Sequence, residues 1–342
     1  METMRLPHRR LWGQLIPVSS PDLPLFRRSA RMNAAFINPD SQAVAPPALV
    51  NTPIKPLLAF ALMGTAILCF SLVDATAKWL TQGYDPWQIV FVSRIVPVLL
   101  AMFLAHRETG NAFNLYTRFP KLQILRAALT IPMIWCFFTG LSLMPLAEAI
   151  TIAFAAPLFI TILSRAILGE QIGRRRWSAV ALGFAGVLVA LRPGFGGLGI
   201  GPILILISAF AYALSMVLLR RFAGQEPTHN IFFYSSIGAF VVAGFNSVSI
   251  WAQPDAIDWG LLLLVGIWGV FGGYAVIRAY RLGEASMLAP LEYTALIWSV
   301  IFDAWLFNLT PIPAVLVGAA IIIGSNVYIA HREHQVRKAT AQ

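Results

Sequence analysis

Apolar residues along this chain gather into ten long runs separated by short polar connections. The runs cover residues 57–80, 86–105, 122–143, 146–166, 177–192, 199–219, 230–252, 259–280, 285–307 and 311–330. At a helical rise of about 1.5 Å per residue, most of them suffice to cross a hydrocarbon core of about 30 Å. The fifth is the shortest. A water-soluble domain has no use for so many near-continuous apolar segments. The pattern predicts an all-α integral membrane protein with ten transmembrane helices.

The polar connections alternate between Lys/Arg-rich and Lys/Arg-poor. With a cytoplasmic amino terminus, the inner connections hold Arg107, Arg118, Lys121 and Arg126, then Arg165 and Arg174 to Arg176, then Arg220 and Arg221, then Arg278 and Arg281. The outer connections hold Arg192 alone. Such asymmetry in short loops sets orientation, so both termini are expected in the cytoplasm of a cell inner-membrane protein. Composition agrees, with 58% hydrophobic and only 12% charged residues. The net charge of +10 sits at loop ends and in the tails, which makes it topogenic and gives no reason to expect nucleic acid. Cys69 and Cys136 fall inside apolar runs, away from any disulfide framework or metal-ligand cluster.

Residues 1–56 mix Arg, Pro and polar residues without the apolar core of a signal peptide, and are expected to form a disordered cytoplasmic tail. Translation from Met32 is an alternative to Met1. Residues 331–342 form a second cytoplasmic tail.

Ten runs divide at the glycine-rich stretch Arg192–Gly201 into halves of five, an odd number, so the second half enters the membrane in the opposite sense. A shift of 138 residues places Ala147 on Ala285, Gly169-Glu170 on Phe307-Asn308 and Gly186 on Gly324. The segments GLSLMPLAEAITIAFAAPLFITILSRAILGEQIGRRRWSAVALGFAGVLVAL and RLGEASMLAPLEYTALIWSVIFDAWLF resemble the drug/metabolite transporter superfamily with paired EamA-type domains. The resemblance implies two inverted five-helix repeats, at 57–192 and 199–330, a central cavity for solute, and no covalent cofactor. Gly169-Glu170 has no counterpart in Phe307-Asn308, which argues against a role for symmetric glutamates.

Ionisable groups inside spans usually face a cavity or a partner. Asp74 and Lys78 share one face of the first span, and Arg94 lies about 12 Å deep in the second. Pairing of Asp74 with Arg94 or Lys78 is sterically allowed; a structural ion pair, or Lys78 snorkelling to the surface, competes with a functional reading. Glu292, followed by Tyr293 in the ninth span, is the sharper candidate, because a carboxylate at that depth can carry a proton. Asp303 and Glu148 are expected nearer the outer surface, in reach of water. Trp135, Trp268, Tyr274, Tyr293 and Trp298 are candidate cavity rings for stacking on a planar solute, against ordinary packing. Phe307, Trp259, Trp87 and Trp177 suit the membrane interface. Prolines 97, 132, 157 and 290 permit kinks. Gly266, Gly269, Gly272 and Gly273 would let the eighth span approach a neighbour.

Two motif matches fail on context. Gly194 to Gly199 spells G-x-G-x-x-G but lies between membrane spans, not between a strand and a helix. His331 and His334 lack further ligands, so no metal is expected. The resulting expectation is a non-enzymatic secondary transporter whose partners are the bilayer, a small organic metabolite and, as candidate coupling ion, the proton. Riboflavin uptake leads among substrates. S-adenosylmethionine or nucleoside-like uptake and amino-acid or drug efflux are the alternatives. A lipid-modifying membrane enzyme is the alternative outside transport, and no clustered nucleophile or paired carboxylates support it.

Overall fold

A computed structural model describes residues 56–170, 173–191, 199–220, 225–283, 288 and 291–340. The amino-terminal tail, most of the glycine-rich linker, Arg221, Glu284 and Pro290 lie outside these residues. All secondary structure among the described residues is helical. The helices are α1 Pro56–Leu80, α2 Pro86–Thr109, α3 Pro120–Leu143, α4 Leu146–Ala153, α5 Ala156–Leu168, α6 Arg174–Leu191, α7 Ile200–Arg220, α8 Thr228–Ser247, α9 Ala256–Leu282, α10 Thr294–Leu306 and α11 Pro313–Thr340.

Local chemistry fixes the ends. Asp85 accepts a hydrogen bond from the Trp87 amide at 2.8 Å ahead of Pro86, starting α2 with a cap and a proline. Asp255 caps α9 in the same way through the Asp258 amide. Gly169 ends α5 at φ +71°, and Asn308 follows the end of α10 at φ +52°. The two repeats thus stop equivalent helices with the two residues that best tolerate left-handed backbone. Helix α11 continues to Thr340, through most of the segment expected as the carboxyl-terminal tail.

Six helical stretches are long and apolar enough to cross a membrane: Leu57–Leu80, Pro86–Thr109, Pro120–Leu143, Leu146–Leu168, Ile200–Arg220 and Ala256–Leu282. Shorter apolar helices cover Trp177–Leu191, Thr294–Leu306 and Pro313–Tyr328. Helix α8 is more polar, with His229, Asn230, Ser235, Ser236, Asn246 and Ser247 along it.

The largest helix contacts recur under exchange of the repeats. Helix α1 lies against α9, and its counterpart α7 lies against α3, the counterpart of α9. The α2–α9 contact has its twin in α8–α3. Helices α2 and α8, and α6 and α11, pair with their own counterparts, and α4 of the first repeat packs on α10 of the second. The α6–α11 crossing shows why the sequence permits this. A Cβ on Gly186 would meet Ile322 at 2.9 Å and the Gly318 carbonyl at 3.0 Å, and one on Gly318 would meet the Gly186 carbonyl at 2.7 Å. Bare backbones touch there. On α9, Gly266 and Gly272 make close approaches to α2 and to Phe70 of α1, whereas Gly269 and Gly273 have nothing within 4 Å.

The fourth span is two helices. Phe154 and Ala155 form a turn between α4 and α5, and Pro157 lacks the N–H that would carry the ladder through. Asn326 of α11 donates to the freed Phe154 carbonyl at 3.2 Å. The ninth span has the same interruption: Leu291 and Glu292 are helical, Tyr293 is a turn, and α10 starts at Thr294. The shift of 138 residues carries Phe154-Ala155 onto Glu292-Tyr293, so the breaks are equivalent.

Candidate functional site

The two breaks meet. Phe154 and Tyr293 pack edge to face with ring centroids 5.4 Å apart, joining the interrupted helices at the interface between repeats. Broken helices at such an interface commonly build transport sites, because interrupted backbone is tolerated where it lines a cavity. Glu292 sits on the same turn, exposed, and its Oε1 accepts a hydrogen bond from the Tyr280 hydroxyl of α9 at 2.9 Å. The carboxylate is thus held by one phenol and stands beside the Tyr293 turn. A carboxylate next to aromatic residues suits a cation.

Lys78 and Asp303 form a second assembly that sequence reasoning did not pair. Lys78 neither snorkels nor joins Asp74. Its Nζ lies 3.3 Å from Asp303 Oδ1 and donates to the Met144 carbonyl at 2.9 Å, while Phe307 presents its ring face at 4.7 Å. Asp303 is not in reach of water but fully buried. Its Oδ1 and Oδ2 accept from the backbone amides of Leu146 and Ala147 at 2.9 and 2.7 Å. These are orphan donors at the start of α4, which Pro145 leaves without a side-chain cap. The carboxylate thus terminates one helix dipole and balances one ammonium. The only hint in the sequence was an Asp inside an apolar run.

Asp74 and Arg94 do not pair either. Among the described residues neither has an ion pair or a side-chain hydrogen bond, and the Arg94 Nε is buried without a partner. Trp135 stacks on Trp87 at 5.1 Å, so Trp87 is a packed residue of the α2–α3 contact, not an interfacial anchor. Phe307 is likewise engaged, by Lys78 and by Trp79 at 6.3 Å. Trp298 stacks on Phe302 at 6.2 Å and packs into the core. Trp268 is half-buried. Tyr274 lies on an exposed stripe of α9 with Phe271 and Arg278, beside the face that carries the packed residues Gly272, Ala275 and Ala279. The structure therefore gathers Glu292 and Tyr293 in one place and leaves Tyr274 apart.

At the opposite end of the bundle from Lys78, the connection between α2 and α3 is tied to the start of α8. Glu226 accepts from the Thr117 hydroxyl at 2.8 Å and the Arg118 amide at 2.7 Å. Asn230 donates to Tyr116 O at 2.7 Å. His229 lies 2.7 Å from Glu108. Among the described residues no group of three or more His, Cys, Asp or Glu side chains could hold a metal ion.

A family model, the EamA-like transporter family, matches residues 57–192 and 199–330. The S-adenosylmethionine uptake transporter of Rickettsia bellii is 29% identical over 269 residues, covering 78% of this chain and 91% of that protein. The riboflavin transporter of Rhizobium johnstonii is 26% identical over 300 residues, 83% of this chain and 95% of that one. The pseudopaline exporter CntI of Pseudomonas aeruginosa is 26% identical over 261 residues, 75% and 90% respectively. A protein of known crystal structure superposes with a TM-score of 0.56 at 21% identity, covering 80% of this chain and 98% of that one, a likeness of fold alone.

Proposed function

The chain belongs to the EamA-like transporter family, and from that premise we propose that it takes up S-adenosylmethionine, or a closely similar charged nucleoside metabolite, by alternating access. It is a multi-pass membrane protein whose relatives are transporters, and their cargoes differ. The observation that carries this choice is Glu292, bonded by Tyr280 and next to Tyr293, at the crossing of the two broken helices. A sulfonium or amine gains from a carboxylate framed by aromatic rings. A neutral flavin has no use for the charge.

The repeats are assigned to residues 57–192 and 199–330, with basic tails on either side. The Lys/Arg asymmetry supports both termini in the cytoplasm and residence in the inner membrane. Lys78 and Asp303 then lie toward the outside, Glu226 toward the inside. Glu292 is also the group assigned to proton coupling, since a carboxylate within the membrane is where a carried proton and a cationic cargo would exclude one another.

Riboflavin is the second reading, supported by the relatives of that name and by the ring content of α9. Proteoliposome uptake separates the two. Saturable entry of labelled S-adenosylmethionine, unaffected by excess riboflavin, upholds the first. Saturable riboflavin entry untouched by S-adenosylmethionine replaces it with the second.

A further inference from the structure

We propose that Asp74 and Arg94 form a two-point receptor for a zwitterion, Arg94 taking the carboxylate and Asp74 the ammonium of an α-amino-acid head. The inference rests on the charged-metabolite reading above and specifies which part of the cargo the first repeat grips.

Both residues face the interior. Met63, Ile67, Ser71 and Lys78 are 1%, 4%, 3% and 7% exposed and run down one face of α1 at helical spacing. Asp74 stands in that series, three residues after Ser71 and four before Lys78. On α2, Arg94 lies one turn from Val90 and one from Val98, which are 1% and 8% exposed. The stacked pair Trp87–Trp135 occupies the α2–α3 contact on the same side of α2. Asp74 and Arg94 also sit at similar depth, roughly 9 and 12 Å from the ends of their helices at the Lys78 side.

Neither charge is compensated by the protein. Lys78, one turn from Asp74 on α1, and Asp303 are committed to each other and to backbone. Helix α9 packs on both α1 and α2, and those two helices make no comparable contact with each other. Three polar atoms in this part of the bundle lack a hydrogen-bond partner: Ser71 Oγ, Arg94 Nε and Thr139 Oγ1. Thr139 follows Trp135 by one turn of α3.

An isolated charge within the membrane is costly, and a protein that holds one of each sign apart has balanced the total without satisfying either. A cation alone would leave Arg94 uncompensated, an anion alone would leave Asp74, and a neutral solute would leave both. A zwitterion satisfies both at once, and the planar guanidinium matches a carboxylate through two parallel N–H bonds.

The test is uptake by the full chain in proteoliposomes, with labelled S-adenosylmethionine competed by S-adenosylhomocysteine, decarboxylated S-adenosylmethionine and methylthioadenosine. The homocysteine analogue keeps the head and the other two lack part or all of it. Expected is a penalty of at least about tenfold in competition for each analogue that lacks part of the head. Arg94→Gln should erase the penalty for the missing carboxylate, Arg94→Lys should restore part of it, and Asp74→Asn should leave the carboxylate preference intact. Equal competition by decarboxylated S-adenosylmethionine and S-adenosylmethionine would overturn the receptor while leaving the cargo reading standing. Riboflavin uptake that is unchanged in both variants, with no S-adenosylmethionine uptake, would overturn both.

Discussion

Lys78 and Asp303, separated by 225 residues, form a buried ion pair with N···O of 3.3 Å that joins the first helix of one repeat to the broken helix of the other. The side chains are 9% and 1% exposed, so solvent does little to screen them. Asp303 also holds the first two amides of α4. Asp303→Asn should therefore lower stability by about 3–5 kcal/mol, because it strands a buried ammonium and weakens a helix cap together. Thermal melting of the purified protein checks this. The double change Lys78→Met with Asp303→Asn should lose less than the sum of the single changes.

Gly186 and Gly318 allow α6 and α11 to touch through backbone. Gly186→Ala is expected to cost about 1–3 kcal/mol by overpacking, since its Cβ would fall 3.0 Å from a carbonyl that cannot move aside. Gly324→Ala on α11 is the control: nothing lies within 4 Å of its Cβ, and melting should stay within about 0.5 kcal/mol of the parent.

Glu292 keeps its carboxylate oriented through Tyr280. Tyr280→Phe should lower kcat/KM for the cargo by about tenfold, the worth of one hydrogen bond to a charged group. Glu292→Gln should also remove any response of uptake to an imposed pH gradient. Persistence of that response in Glu292→Gln vesicles would exclude proton coupling at this residue.

Tyr84, in the connection between α1 and α2, donates to Asp258 Oδ2 at 2.5 Å. That hydrogen bond, ahead of burial and the nearby carboxylates, pushes its hydroxyl up to about 12. A raised value favours the protonated folded form. The contribution is fully present below the free tyrosine value of about 10 and is lost as pH rises through about 12. Tyr84→Phe should flatten stability against pH in that window, measured by denaturation from pH 9 to 12.

Orientation is tested by labelling single cysteines from either side of the membrane. A cysteine at Arg174 should react only from the cytoplasmic side; reaction from outside would reverse the placement of every loop.

Much of the architecture was legible because it depends on composition averaged over long windows. Most apolar runs give helices whose ends differ from the expected limits by a few residues, but the last helix continues to Thr340. The breaks in the fourth and ninth runs were not expected, although the 138-residue shift places them at equivalent positions. The site was less legible. Asp74, Lys78 and Arg94 were recognised as costly, but cost does not name a partner, and Asp303 lies in another repeat. The Phe154–Tyr293 contact was hidden because both residues sit within uninterrupted apolar runs. Only the proline after Phe154 signals the first break.

The ion pair at Asp303 has no mirror: 138 residues earlier the chain has Arg165, exposed near the end of α5. In the alternating-access cycle proposed above, an exchange of shapes between the halves could not recreate that pair at the other mouth, so the two facing states would differ in energy before any cargo binds.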